Sequence, residues 1–292
     1  MDRYSWRTLV IAFTCAAALA AQTLHVPGLQ ASVTIRHDRW GIAHIYAQNE
    51  HDLFFAQGYN VAHDRLFQLE LWRRQATGTL AEVLGPSAVD RDWGNRLFQY
   101  RGDLNQELKW YHPHGAAIVQ AFVDGINSYI ARTETHPELL SPEFGLLHLR
   151  PVRWTPAVVI SRFNGLLANV NTEINLAQAV RAIGPAQVKA LEYFQPGNPA
   201  LTLDPALKDV PFSPKILAVY NAFRRPLRFT PGMLQAAAST APPTPFDLER
   251  QLQTIGSNNW IVSGSRMANG HALMANDPHR TQEAPSLRYW VH

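Results

Sequence analysis

The sequence predicts an α+β fold, largely helical, with short strands near its start and its end. Long stretches between Glu50 and Phe223 repeat their apolar residues every three or four positions, which is the helical period. Val33–Arg36, His44–Tyr46, Trp260–Val262 and Ala272–Ala275 are instead short apolar or β-branched segments bounded by turn residues, which is the strand pattern. At 292 residues, 46% hydrophobic and 17% charged, the chain can bury a sizeable core, in one large domain or two modest ones.

Arg3 and Arg7 precede a thirteen-residue apolar run, Thr8–Ala20, that closes on Ala18-Leu19-Ala20. That order of charge, apolar stretch and small residues is a secretory signal, with cleavage expected after residue 20 or 21. The run is too short to span a bilayer, so no membrane association is expected once it is removed, and the mature protein is expected in the periplasm or secreted. Cys15, the only cysteine, leaves with the signal, so the mature chain has neither disulfides nor a cysteine nucleophile. Loss of Arg3, Arg7 and Asp2 changes the formal charge from 26 − 23 = +3 to 24 − 22 = +2. No basic block remains to follow a phosphate backbone, which argues against nucleic acid as a partner. The chain has no internal repeat.

Two strands, Val33–Arg36 and His44–Tyr46, flank the turn Asp38-Arg39-Trp40-Gly41. Asn49 then caps a helix from Glu50, with Asp52 in its first turn where the helix dipole favours an acid. Leu53, Ala56, Gln57, Ala62, Leu66, Leu69 and Arg73 set its packed face. His63 and Asp64 are adjacent, and neighbours in a regular helix do not share a face, so they are expected to be structural. A second helix from Gly115 buries Val119, Phe122, Val123, Ile126, Tyr129 and Ile130; His112 and His114 before it belong to a surface turn. Thr155-Pro156 opens a helix expected to run to about Ala168 and on into Asn169–Ile174. Gly184-Pro185 opens another through Tyr193, Pro196–Pro214 is proline-rich loop, and Ile216–Phe223 is the last helix before the spacer.

Thr230–Gln253 carries Pro231, Pro242, Pro243 and Pro245 around Ala236–Ala241, and has too little to bury for a core of its own. Beyond it, Gly256-Ser257 leads into Asn258-Asn259-Trp260-Ile261-Val262. Asn269-Gly270 supplies a hairpin turn, and Ala272–Ala275 is the returning strand. An antiparallel return brings Asn276-Asp277-Pro278-His279-Arg280 back toward Ser257. A bare Gly-Ser pair is ordinarily turn or linker; here it sits where a spacer enters a hairpin.

The residues Gly256-Ser257-Asn258-Asn259-Trp260 and Asn276-Asp277-Pro278-His279 resemble the start of the catalytic chain in the penicillin acylase family of N-terminal nucleophile hydrolases. Arg39–Ala47, Phe55–Tyr59, Ala62–Gln68 and Gly78–Gly85 are similar to that family's small chain, in the same order. The resemblance implies an αββα sandwich, of which this stretch would hold the helical small chain and the first hairpin of the large one. It divides the sequence into a signal (1–21), a small chain (22–230), a spacer (231–256) and the beginning of a large chain (257–292). The two chains of one precursor would form a heterodimer acting on a small-molecule amide.

A cut between Gly256 and Ser257 would give Ser257 a free α-amine next to its hydroxyl. With a reference pKa of ~7.7–8.0, roughly a tenth of that amine is neutral at pH 7, enough to act as the base for its own side chain. Gly256, lacking Cβ, leaves room for the hydroxyl to reach the preceding carbonyl. By resemblance, His279 would assist proton transfer, as a histidine at this distance does in the cephalosporin acylases. Leu167, Val170 and Arg280 would line the acyl pocket, and Glu173 would be a ligand of a structural calcium. Arg280 stands where the family has an aromatic or aliphatic residue; facing inward, it would select an acyl chain with a carboxylate or polar tip. Calcium wants six to eight oxygens, and Glu173 supplies one carboxylate. The oxyanion-hole donors would lie downstream of His292, so residues 1–292 alone are expected to be inactive. Acylases of acyl-homoserine lactones or cyclic lipopeptides, and a noncatalytic exported binding module, are the alternative readings.

Overall fold

A computed structural model describes residues 23–161, 170–194, 197–207, 209–224, 227, 229, 257–278 and 288–292. The signal segment and the spacer, 231–256, lie outside the described residues. Strands β1 (Thr34–His37) and β2 (Ala43–Tyr46) pair antiparallel, Thr34 opposite Tyr46 and His37 opposite Ala43. Asp38 closes their turn by accepting from the backbone N–H groups of Trp40 (2.8 Å) and Ile42 (2.9 Å). Gly41, at φ +77°, takes the left-handed position that a side chain would resist.

Helix α1 (Glu50–Thr77) begins at Asn49, whose Oδ1 accepts from the N–H of Asp52 at 2.8 Å, the cap expected from the sequence. Asp52 does more than complement the helix dipole, because its carboxylate is fully buried. It accepts from the N–H groups of Gln30 (2.9 Å) and Ala31 (2.7 Å) and from Asn49 Nδ2 (2.8 Å), tying the incoming chain to the helix end. Burial pushes its pKa up, but the bonds from Gln30, His51, Asn49 and Ala31 outweigh burial and hold it at about 2. The packed face also differs from the expected one: Phe55 and Tyr59 are buried and Leu53 lies at the surface. The helix leaves regular geometry once, at Arg65 (φ −142°, ψ 32°), and ends on Gly78 at φ +63°.

The short helix α2 (Ala81–Leu84) and α3 (Val89–Leu97) follow. The buried carboxylate of Asp92 in α3 accepts from the N–H groups of Leu80 (2.9 Å) and Ala81 (2.7 Å), as Asp52 does for residues 30 and 31. Helix α4 (Leu104–Tyr111), capped by Asp103, leads to α5 (Gly115–Thr135). Helices α1 and α5 cross with their backbones nearly touching. A Cβ on Gly58 would stand 2.0 Å from the carbonyl oxygen of Phe122, and one on Gly125 1.9 Å from that of Phe55. Around this crossing Ala62, Leu66 and Leu69 of α1 pack with Val123, Ile126, Tyr129 and Ile130 of α5, the spacing expected for that helix. Each fully buried side chain of this size contributes ~1.5–3 kcal/mol. Phe144 of α6 (Pro142–Leu146), Trp154 and Val158 of α7 (Pro156–Ser161) close the core. Beneath it, buried Glu70 meets Arg73 (2.7 Å) and Arg74 (2.8 Å) and accepts from the N–H of Val152 (3.1 Å), so neither sign of charge is left alone.

Residues 170–183 are helical, α8 (Val170–Ile183), so the helix expected to run on into Asn169–Ile174 extends past Ile174 to Ile183; residues 162–169, between α7 and α8, lie outside the described residues. Helix α9 (Pro185–Leu191) stops two residues short of Tyr193, and α10 (Ala218–Arg224) follows a 3-10 turn at Pro214–Leu217. Among the described residues no helix is long and apolar enough to cross a membrane. Strands β3 (Ser257–Val262) and β4 (Leu273–Pro278) form a second, separate two-stranded sheet.

The close crossing predicts that Gly125→Ala forces α1 and α5 apart, at a cost of ~1–3 kcal/mol or more and a drop of several degrees in Tm. Gly145→Ala, where a Cβ meets nothing within 4 Å, should change stability by less than ~0.5 kcal/mol. Asp52 has a folded pKa of about 2 against an ordinary 3.8. A carboxylate lowered in this way adds stability above the ordinary value and loses it as pH falls toward the folded one. Urea titrations at pH 7, 3.8 and 2 should therefore show wild type losing stability over the acid range, and Asp52→Asn, weaker at pH 7, losing less of what it has.

Candidate active site

The β3–β4 hairpin places the candidate nucleophile. In its register Ser257 stands opposite Pro278, Asn258 opposite Asp277, Asn259 opposite Asn276, Trp260 opposite Ala275, Ile261 opposite Met274 and Val262 opposite Leu273. Ser257 is thus directly across from the residue that precedes His279, the neighbourhood expected from an antiparallel return. Both strands are longer than their apolar centres indicated, each gaining polar residues at the open end. Side chains alternate between faces, so Ser257 shares one with Asn259, Asn276, Ile261 and Met274, while Asn258, Asp277, Trp260 and Leu273 occupy the other. Trp260 is 51% exposed, Ile261 71% and Met274 69%, which leaves both faces uncovered.

The connection between the strands is a ten-residue loop, 263–272, in which Asn269-Gly270 makes only the second of two turns. Ser263 opens the first, its hydroxyl accepting from the N–H of Ser265 at 3.4 Å ahead of the 3-10 turn Gly264–Arg266. In the second, Asn269 Oδ1 accepts from the N–H of His271 (3.0 Å) and Gly270 takes φ +72°. The two turns meet at Gly264, where a Cβ would come within 2.3 Å of the Gly270 carbonyl oxygen.

Of the other predicted site residues, Val170 and Glu173 lie one turn apart at the start of α8, Val170 partly buried and Glu173 exposed. Gly256, Leu167, His279 and Arg280 lie outside the described residues. A polar cleft of about 220 Å³ opens alongside α8, lined by Asn171, Ile174, Asn175 and Gln178 with Ile216 and Asn221 opposite. Its lining, completed by Ser213 and Leu217, carries no charged side chain and includes none of the predicted residues. Among the described residues no group of three His, Cys, Asp or Glu side chains could hold a metal. Glu173 with the residues described here therefore does not fit a calcium site by itself.

His63 and Asp64 are in contact, contrary to the expectation that neighbours on a helix diverge. At the Arg65 kink His63 Nδ1 lies 2.8 Å from Asp64 Oδ1. Tyr289, 225 residues away, donates its hydroxyl to Asp64 Oδ2 at 2.7 Å. Asn60 donates its amide to the Tyr289 hydroxyl and, at 3.3 Å, to Asp64 Oδ2. Partial burial pushes the Asp64 pKa up, but His63 and Tyr289 outweigh it and the pKa is lowered; burial and the carboxylate push the Tyr289 phenol up, so it stays a donor. Sequence spacing carries no signal for a contact of this range. His114, assigned to a surface turn, is exposed and meets Glu50 Oε1 at 3.0 Å.

Residues 32–292 match the family model described as penicillin amidase. The chain is 31% identical over 268 residues to "Penicillin acylase 2 proenzyme" of Pseudomonas sp. (strain SE83), covering 91% of this chain and 32% of that protein. It is 29% identical over 296 residues to "Penicillin G acylase" of Escherichia coli, covering 89% and 34%. It is also 29% identical over 275 residues to "Acyl-homoserine lactone acylase QuiP" of Pseudomonas aeruginosa, covering 91% and 30%. A thermostable penicillin G acylase from Alcaligenes faecalis is similar in structure at TM-score 0.47 and 26% identity, over 60% of this chain and 98% of that one, too loosely to fix the architecture. The chain thus spans about a third of the length of the curated relatives it matches. With the family model covering all but the first 31 of its 292 residues, the chain belongs to the penicillin amidase family.

Proposed function

We propose that this chain is part of an exported, self-processing acylase that hydrolyses the amide bond between an acyl side chain and an amine, with Ser257 as nucleophile. The observation that carries the reading is the position of Ser257: first residue of β3, opposite Pro278, in a chain of the penicillin amidase family. Processing would start when the Ser257 hydroxyl attacks the Gly256 carbonyl carbon, the peptide C–N bond breaks and the Ser257 nitrogen takes a proton. Water then hydrolyses the resulting ester, leaving a carboxylate on Gly256 and a free amine on Ser257. In turnover that amine, directly or through one water, accepts the hydroxyl proton as Oγ attacks the substrate carbonyl, and returns it to the departing amine. A water molecule then releases the acyl group from Ser257. His279 would assist these proton movements. The αββα sandwich, the heterodimer of small and large chains and the periplasmic or secreted location belong to the same proposal. A calcium ion with Glu173 as one ligand does too, its remaining ligands supplied from outside the described residues; no step above uses it.

Relatives include proteins named as penicillin acylases and as acyl-homoserine lactone acylases, so the acyl group is the open variable. Ile261 and Met274, on the face of Ser257, favour an apolar acyl chain near the strands, whereas an inward Arg280 favours a charged tip.

The complete precursor should run as two chains on a denaturing gel, and Ser257→Ala as one; a cut Ser257→Ala protein would end the proposal. A panel of phenylacetyl, glutaryl and long-chain acyl amides then identifies the substrate. If Arg280 reads a carboxylate, Arg280→Leu should lower kcat/KM for the glutaryl amide by ~10-fold or more and spare the phenylacetyl one, the usual loss for a bond between charged groups. Equal loss on both would remove Arg280 from the pocket.

A further inference from the structure

We infer that Arg288–His292 is a clasp: once the chain is cut ahead of Ser257, the contact of this segment with β2 and the kink of α1 holds the two pieces together. The inference rests on the cleavage proposed above, but the contact is present in the uncut chain and has three parts.

The first is a strand addition. β2 pairs with β1 along one edge, and along the other it takes Val291–His292 in parallel, with Val291 bridged to Ala43. Ile45 N–H donates to the His292 carbonyl at 2.7 Å, and His292 N–H to the Ala43 carbonyl at 2.9 Å. Backbone pairing of this kind satisfies an edge that water would otherwise occupy, and it gives affinity with little dependence on side chains. His44 and His292 reinforce it, their Nδ1 atoms 3.1 Å apart and their rings edge to face.

The second is the lock at the kink. Tyr289 packs against the main core and reaches Asp64 with its hydroxyl, while Asn60, itself buried, donates to the same hydroxyl. The third is Arg65, whose guanidinium lies 5.1 Å from the centre of the Tyr289 ring and donates to the Arg288 carbonyl at 3.2 Å. Asn60 and Asp64, four residues apart, share one face of α1, and the departure from helical geometry falls at the next residue, Arg65, which meets the same tyrosine.

The hairpin that precedes the clasp is exposed on both faces, so of the described residues after position 256 it is Tyr289 that packs into the main core. The kind of partner the surface fits is therefore an extended segment carrying a tyrosine two residues before its strand-forming valine, delivered by this same chain.

The test uses the complete precursor carrying Ser257→Ala, with a site-specific protease sequence placed within 231–256, so that two pieces are made whether or not the protein cuts itself. After protease treatment, loss of the small piece is followed by size exclusion in sub-denaturing urea. Tyr289→Phe and Asp64→Asn should each speed that loss by ~10-fold, since phenylalanine lacks the donor and asparagine lacks the charge that makes the bond strong. The double variant should be no faster than the quicker single one, because both changes break the same bond. Uncut versions of the variants should melt only about 2–4 °C below wild type, because the intact chain keeps the segment beside its site; a larger drop would mark a general folding defect and overturn the clasp. Release of the cut variants at the wild-type rate, or additive effects in the double variant, would overturn the clasp. Failure of the unmodified precursor to cut itself would count against the self-processing reading and leave this result standing.

Discussion

The whole helical part depends on one close approach, the crossing of α1 and α5 at Gly58 and Gly125. Two helices whose carbonyl oxygens lie about 2 Å from where a Cβ would be have no room for any side chain at those positions. The crossing fixes how Tyr59 meets Tyr129, rings edge to face with centroids 5.4 Å apart, and lets the apolar faces on either side interdigitate. Everything that matters later hangs on α1: its capped start carries Asp52, its kink carries Asp64, and its end carries Glu70 with Arg73 and Arg74. A helix held this firmly can present a buried carboxylate to a distant piece of chain with its geometry already set.

Three carboxylates use the same device at different places. Asp52, Asp92 and Glu70 each accept backbone N–H groups from a segment remote in sequence, so a loop is fastened to a helix through an ion that burial would otherwise penalise. The hairpin is built on the opposite principle. Its strands are joined by backbone pairing and by the contact of Gly264 with Gly270, and its side chains face outward. Exposed Trp260, Ile261 and Met274 on a two-stranded sheet are a surface that wants further cover, which agrees with relatives three times the length of this chain.

Much of this was legible in the sequence because its causes are local. The Asn49 cap, the helix from Gly115 with its apolar spacing, and the return of β4 beside Ser257 all follow from neighbours within a few residues. What could not be read is what depends on contacts across the chain. Asp52 has the sequence context of a solvated first-turn acid; only the docking of residues 30 and 31 makes it a buried anchor. The contact of His63 with Asp64 depends on side-chain rotation that spacing does not encode, as the same contact between His51 and Asp52 in the regular first turn shows, and the kink at Arg65 has no proline or glycine at that residue to announce it. The loop of the hairpin was attributed to Asn269-Gly270 alone because nothing in the spacing announces that Gly264 will meet Gly270.

The central claim is chemical: a new amine is uncovered on Ser257, and the hydroxyl on the same residue then carries the acyl group. The most direct measurement is N-terminal sequencing of the larger fragment of active, purified protein, alongside its activity. The account predicts Ser-Asn-Asn-Trp at the first four positions, with amide hydrolysis rising in step with that terminus. Full hydrolysis by protein in which the bond between Gly256 and Ser257 is still intact would contradict it.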